Sequence, residues 1–164
     1  MGMHDTRDLH RFLKPFPDQK KQIALALREF AWKRYPDANE LIYDNYNAVA
    51  LGWSLTDRLG DTFCSIAVGR RGLNVHFGFF WGSKLSDPKK LLLGSGNQYR
   101  YIIVEDMRKF PRGYIAKLMK QAHAYSLTKL KKPSPPLHGT TIVKSISAKK
   151  ANIVSSRSYP RRGR

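Results

Sequence analysis

The sequence predicts an α+β fold in which an antiparallel sheet of about four to six strands is flanked by an N-terminal and a C-terminal helix. Three patterns support this fold class. Apolar residues recur at helical spacing in residues 18–35 and again in 110–130, and runs between residues 48 and 105 alternate at the period of strands. Apolar residues make up 41% of the 164 residues, including 8 Phe, 8 Tyr and 3 Trp, which is enough for one buried core.

The first predicted helix covers residues 18–35. Ile23, Leu27 and Phe30 lie on one stripe of this segment. Pro17 is a helix start signal, and Pro36 cannot continue a helix. A short helical turn is also predicted over 38–45, after which the apolar period changes from about 3.6 to about 2.

Four strands are predicted after this turn. Three of them form an antiparallel meander, because they are rich in β-branched and aromatic residues and are separated by the turn-rich segments DRLGD and GRRG. A fourth follows a Gly-Ser-Gly turn. The four predicted strands cover residues 48–55, 62–68, 73–80 and 99–105.

The second helix is predicted after Pro111, with Ile115, Leu118, Met119 and Ala122 on its apolar face.

Beyond residue 131 the chain is rich in Pro, Ser, Lys and Arg, which is typical of a tail, although 141–147 could form a short strand or helix. The predicted organisation is an N-terminal extension at 1–16, one folded domain at 17–130 and a basic tail at 131–164.

The positive charge is concentrated in the C-terminal third. The net charge is +18, yet all 12 acidic residues lie at or before Asp106, and residues 107–164 hold 15 Lys and Arg with no acid. A polycationic segment binds polyanions by counterion release, so nucleic acid or another polyanion is the partner that this charge favours; an inert solubilising tail is the alternative. The predicted polyanion-binding residues are Lys129, Lys131, Lys132, Lys149, Lys150, Arg161, Arg162 and Arg164.

The sequence favours a reducing, cytoplasmic setting without membrane insertion. Cys64 is the single cysteine and lies in an alternating run, where a small buried hydrophobic side chain is expected. The chain does not begin with an apolar leader, and none of its apolar runs approaches the ~20 residues of a membrane span.

Three motifs in the middle of the chain occur in a recognisable order. They are VHFGFFWGSKL at 75–85, the Asp87-Pro88 step followed by three leucines, and GSGNQYRYIIV at 94–104. This pattern resembles the YdhG-like family of small α/β domains over roughly residues 38–125. The resemblance implies a frataxin-like fold and a small binding or carrier function, because some members have been described as iron chaperones.

Iron is implied by this resemblance alone. The residues themselves predict no metal site and no cofactor, because hard iron species favour oxygen ligands and the first helix carries only Asp18 and Glu29 among five basic residues. His76 is predicted to point to the opposite sheet face from Val75 and Phe77, and no ligand at metal spacing accompanies it.

The Gly-Ser-Gly turn is the candidate ligand site. It lacks the Gly-Lys-Ser/Thr ending of a P-loop and the spacing of a dinucleotide motif, so the favoured interpretation is a turn in which glycine supplies a positive φ. The alternative is an anion site made by the bare backbone amides beside an arginine, at the rim of an aromatic sheet face that could bind a flat ligand. The residues of this candidate are Gly94, Ser95, Gly96, Tyr99, Arg100 and Trp81.

No catalytic constellation is recognisable in the sequence. A nucleophile elbow is missing, and Glu105 and Asp106 are the one adjacent pair of carboxylates. We therefore expect a non-enzymatic protein that acts as a small binding or carrier domain, with polyanion binding through the basic tail as the alternative.

Overall fold

The computed structural model describes residues 6–72, 75–131 and 139–153. Within these residues three α-helices and six strands form an α+β fold, which confirms the predicted fold class. The helices are α1 (Arg7–Leu13), α2 (Asp18–Arg34) and α3 (Arg112–Lys129). The strands are β1 (Asn39–Asp44), β2 (Ala48–Ser54), β3 (Thr62–Gly69), β4 (Val75–Phe79), β5 (Arg100–Val104) and β6 (Thr141–Ile146).

The two long helices and the meander were predicted correctly. Helix α2 begins at Asp18 and ends two residues before Pro36, and α3 follows Pro111. Strands β2, β3 and β4 pair in antiparallel order, and β5 adds to β4. The helical turn predicted over 38–45 is wrong, because residues 39–44 form β1 and pair with β2 along their whole length. Backbone pairing with a neighbouring strand overrides the weak local helix preference of this segment.

The sheet is mixed, so the prediction of a purely antiparallel sheet is also wrong. Its strand order is β5-β4-β3-β2-β1-β6, and β6 runs parallel to β1. Helix α3 lies between β5 and β6 in the chain, and these two strands occupy opposite edges of the sheet. A helical crossover of this length allows the next strand to enter in parallel, which a tight hairpin would not.

One face of the sheet carries the core. An inner row crosses five strands in register and consists of Ile42, Leu51, Ile66, Phe77 and Ile102. The Phe30 ring of α2 packs edge-on against Phe77, with ring centres 6.1 Å apart. The α1 residues Leu9, Phe12 and Leu13 are buried in the same cluster, so part of the segment 1–16 contributes to the core.

Part of the segment predicted as a tail is attached to the domain. Residues 141–146 form β6, and the carboxylate of buried Asp44 accepts a hydrogen bond from Lys150 Nζ. The backbone amide of Ala151 donates to the Tyr46 carbonyl at 2.8 Å, and Ala151 itself is buried. Lys132, Arg161, Arg162 and Arg164 lie outside the described residues.

Among the helices of the described part of the chain, none combines the length and the hydropathy that a membrane crossing requires.

Candidate functional site

The loop between β4 and β5 lies along helix α3 in the opposite direction. At its start, the Trp81 ring packs against Tyr125, with ring centres 5.6 Å apart. Further along, the Ser86 amide donates to Gln121 Oε1 at 2.7 Å. Next, the Asp87 carboxylate accepts a hydrogen bond from the Tyr114 hydroxyl. The loop therefore contacts α3 from near its C-terminal end to its first turn.

Asp87 is the acidic residue that fixes this loop. Besides the hydrogen bond from the Tyr114 hydroxyl, its carboxylate accepts hydrogen bonds from the backbone amides of Leu91 at 3.1 Å and Leu92 at 2.9 Å. Burial by itself would raise the pKa of Asp87, but these three hydrogen bonds outweigh it and hold the pKa below its ordinary value. The Asp87 carboxylate is thus engaged by hydrogen bonds that hold the loop on α3. The lysines of the loop are attached to this hydrogen-bonded segment.

Six exposed lysines line the loop and the outer side of α3, and we call this surface the basic ridge. None of the six forms an ion pair with a carboxylate among the described residues. Helix α3 contains no acidic residue, and the loop contains only Asp87. The basic ridge consists of Lys84, Lys89, Lys90, Lys117, Lys120 and Lys129.

Two of these lysines lie over aromatic rings. Lys129 Nζ is 5.7 Å from the centre of the Trp81 ring and 5.3 Å from that of Tyr125. Lys89 Nζ is 5.2 Å from the centre of the Tyr114 ring. Cation–π contacts at these distances hold an ammonium group near the surface while it keeps its charge. Trp81 was predicted to belong to the ligand site and Lys129 to the polyanion-binding residues, but the fold places the two side chains in one cluster.

The Gly-Ser-Gly turn is exposed, and Gly94 has a φ of 117°, as a glycine turn requires. Arg100 folds back over this turn, where its Nη1 donates to the Gly96 carbonyl at 2.6 Å and to the Tyr99 carbonyl at 2.8 Å. The guanidinium is thus directed at carbonyl oxygens of the turn.

The six predicted ligand residues do not converge on one point. Gly94, Gly96, Tyr99 and Arg100 share the turn that leads into β5. The Trp81 ring packs on α3 instead. The Tyr99 ring lies across the sheet face opposite the helices, over Gly78, where a Cβ would approach Tyr99 Cε2 to 2.7 Å.

Two surface depressions lie beside the C-terminal end of β5, away from the Gly-Ser-Gly turn. One has a volume of about 380 Å³ and is lined by residues 102–106 and 109–111. The other, of about 440 Å³, is formed where the first turns of α2 meet residues 105–108. Neither depression includes a residue of the predicted ligand site, because the turn stands at the opposite end of β5.

The acidic residues of α2 are both engaged by lysines. Lys21 pairs with Asp18 at 3.0 Å, and Lys33 pairs with Glu29 at 3.3 Å. In the described ranges, no group of three or more His, Cys, Asp or Glu side chains is placed to hold a metal ion. Cys64 is fully buried, and burial raises the pKa of its thiol.

Lys131, Lys149 and Lys150 complete the described part of the predicted polyanion-binding set. Lys131 and Lys149 are exposed, whereas Lys150 is half-buried against Asp44. Sequence reasoning missed the contribution of the loop lysines, since only the fold reveals that residues 84–90 lie beside α3. The signal that could have found them is the scarcity of acid in residues 84–104, which contain Asp87 alone.

Comparison with family models, with curated proteins and with solved structures returned no match for this chain.

Proposed function

We propose that this protein binds polyanions, with nucleic acid as the ligand class, and that the basic ridge makes the phosphate contacts together with C-terminal basic residues. The observation that carries the proposal is a surface of six exposed lysines that have no carboxylate partner among the residues described by the structure. Lysines contribute point charges, so they neutralise phosphates without the bidentate geometry that reads a base edge. The expected binding is therefore independent of nucleotide sequence.

The dimensions of the ridge suit a short stretch of backbone. Helix α3 has 18 residues and is therefore about 27 Å long. The Asp87 hydrogen bonds fix the neighbouring loop, so three of the six ammonium groups are carried on an ordered segment. Ordering before binding lowers the entropic cost of association. Counterion release from the neutralised phosphates then supplies most of the binding free energy.

The test compares three variants of the full chain that each remove two positive charges. The ridge variant is Lys117→Gln/Lys120→Gln, and the tail variant is Arg161→Gln/Arg162→Gln. The control variant is Arg11→Gln/Lys21→Gln, whose two cations are paired with Asp8 and Asp18 outside the ridge. Fluorescence anisotropy with a labelled DNA duplex of about 20 base pairs measures the dissociation constant at low salt.

We expect the ridge variant to bind at least about tenfold more weakly than the control variant, because two phosphate contacts are lost. The tail variant is expected to weaken binding as well. Equal affinities of the ridge and control variants would overturn the assignment of the ridge. Undetectable binding by the unmodified chain would overturn the function itself.

A small binding or carrier domain is the second proposal. It follows from the YdhG-like and frataxin-like resemblance, which stays a prediction, and iron would be its cargo. The observation that favours a ligand at the Gly-Ser-Gly turn is the exposed position of Gly94, Ser95 and Gly96 beside Arg100. Amide NMR shifts during separate titrations with inorganic phosphate and ferrous iron test it. Saturable shifts at this turn that are lost in Arg100→Gln would support it, and unchanged shifts would exclude both probes.

A further inference from the structure

A third surface depression lies between the C-terminal half of helix α2 and the residues that lead into α3. Its volume is about 270 Å³, and its apolar lining residues are Ala26, Phe30 and Met107. Arg34 of α2 and Arg112, the first residue of α3, also line it, and we call it the arginine depression. Two guanidinium groups therefore share one cavity with an apolar lining.

Both guanidinium groups are held by contacts within the domain. Arg34 Cζ lies 4.1 Å from the centre of the Phe30 ring, and Phe30 is itself buried in the core. Arg112 Nη1 donates a hydrogen bond to the Met107 carbonyl at 3.0 Å. A guanidinium carries several N–H donors, so each arginine retains donors for a ligand. Because these contacts order the two side chains before binding, they lower the entropic cost of binding an anion.

The arginine depression has an excess of positive charge. Among the residues that the structure describes, neither Arg34 nor Arg112 forms an ion pair with a carboxylate. Of the described residues that line the depression, Glu29 is the one acid, and it pairs with Lys33 at 3.3 Å. Glu29 is thus engaged by a third cation, and the charge of the two arginines favours an anionic ligand.

We propose that the arginine depression binds a small ligand in which a carboxylate is attached to an apolar group. The planar guanidinium matches the geometry of a carboxylate and donates two parallel hydrogen bonds to it. Ala26, Phe30 and Met107 then contact the apolar group. A phosphodiester backbone has no apolar group of this kind, so the lining favours a carboxylate over nucleic acid at this place. The site does not depend on the proposed nucleic-acid function.

The volume of the depression limits the size of the ligand. Sites for drug-sized ligands have volumes of about 300–1,000 Å³, and the arginine depression, at about 270 Å³, is smaller. We therefore expect a ligand of about eight to ten non-hydrogen atoms, with a dissociation constant near about 1 mM. Hexanoate is a suitable probe, because it joins one carboxylate to a short apolar chain.

Titration of the isotope-labelled full chain with hexanoate, followed by amide NMR shifts at about pH 7 and constant ionic strength, tests the proposal. We expect saturable shifts in residues 26–34 and 107–112, with a dissociation constant near about 1 mM. Hexylammonium carries the same apolar chain with the opposite charge and is expected not to bind. Acetate lacks most of the chain and is expected to bind at least about fivefold more weakly.

Two variants test the arginines separately. Arg34→Gln and Arg112→Gln each remove one exposed guanidinium and are each expected to weaken hexanoate binding at least about tenfold. Arg71→Gln is the matched control, because Arg71 is an exposed arginine whose Cζ lies 6.0 Å from the centre of the Tyr46 ring, outside the depression. Its hexanoate affinity is expected to equal that of the unmodified chain. Melting temperatures show whether each variant is folded.

Three results would overturn the proposal. The first is a hexanoate titration of the unmodified chain without saturable shifts in these residues. The second is the same hexanoate affinity in Arg34→Gln, Arg112→Gln and Arg71→Gln. The third is tighter binding of inorganic phosphate than of hexanoate at the same amides, which would assign the two arginines to a phosphate ligand.

Discussion

Lys129 Nζ lies 5.7 Å from the centre of the Trp81 ring. This contact places an indole within the basic ridge, whereas Trp32 and Trp53 are buried in the core. A bound polyanion that draws the ammonium of Lys129 toward a phosphate will change the surroundings of the Trp81 ring. We therefore expect this contact to couple the proposed nucleic-acid binding to an optical signal.

The first prediction concerns this signal. Saturation with DNA is expected to change the intrinsic tryptophan fluorescence of the full chain, because Trp81 adjoins the ridge. Trp81→Phe keeps an aromatic ring beside Lys129, so it is expected to abolish most of the change while affinity stays within about threefold. Trp32→Phe is the matched control and should preserve the signal. A fluorescence change that persists in Trp81→Phe would place the ligand elsewhere.

The second prediction concerns the buried ion pair between α2 and β1. Arg28 donates two hydrogen bonds of 2.7 Å to the carboxylate of Glu40, which has no exposed surface. Arg28→Ala leaves a buried carboxylate without its cation, so the free energy of unfolding is expected to fall by about 3–5 kcal/mol. Lys33→Ala removes an exposed cation from the same helix and should cost less than about 1 kcal/mol. Urea unfolding measures both, and similar losses in the two variants would contradict the account.

The third prediction compares two glycines of the loop between β4 and β5, Gly82 near its start and Gly96 in the Gly-Ser-Gly turn. A Cβ on Gly82 would overlap the Cβ of Arg100 and come within 2.7 Å of its backbone nitrogen, so the start of β5 would have to move. Gly82→Ala is expected to cost more than about 2 kcal/mol of unfolding free energy. A Cβ on Gly96 meets no atom within 4 Å, and Gly96→Ala should cost less than about 1 kcal/mol. Thermal unfolding of the two variants gives the comparison, and an equally stable Gly82→Ala would refute the close approach.

The fourth prediction is a loss of stability in mild acid. Burial lowers the pKa of His76 and of His123 below the ordinary value of 6.5. The unfolded chain therefore binds more protons than the folded chain below about pH 6.5, and the free energy of unfolding falls as the pH drops through this range. Above about pH 6.5 this contribution to stability is fully present.

Urea unfolding at about pH 7.5 and about pH 5.5 measures this dependence. His76→Phe/His123→Phe keeps two flat rings and removes both titrating groups, so it is expected to flatten the dependence. The hydrogen bonds of Asp87 lower its pKa, and that residue affects stability only in more acidic solution, near and below about pH 4. A chain that becomes more stable toward about pH 5.5 would contradict the burial of the two histidines.

The sequence was sufficient for the elements that carry a strong local pattern. Helix α2 has its proline signals and its apolar stripe, and β2 to β5 alternate between turns, so their existence and type followed from residues alone. Strand β1 could not be predicted in this way, because two charged residues on its inner side, Glu40 and Asp44, disrupt the apolar pattern. Their burial is possible only because Arg28 and Arg70, which are distant in sequence, supply the partner charges.

The candidate site also combines features that the sequence predicts with features that depend on long-range contacts. The charge of the C-terminal third could be read directly from the sequence, and so could the positive φ of Gly94. The position of the 84–90 loop beside α3 could not, because it depends on the Tyr114 hydroxyl meeting the Asp87 carboxylate across 27 positions of chain. The parallel entry of β6 likewise depends on a long-range pairing with β1.

The dependence of DNA affinity on salt tests the central claim most directly. The slope of log K against log salt counts the phosphates that the protein neutralises, at about 0.9 per contact on duplex DNA. Removing Lys117 and Lys120 in the ridge variant is predicted to make this slope shallower by about 2, whereas the control variant keeps the slope of the unmodified chain. Identical slopes for the ridge variant and the unmodified chain would contradict the claim that the basic ridge contacts phosphate.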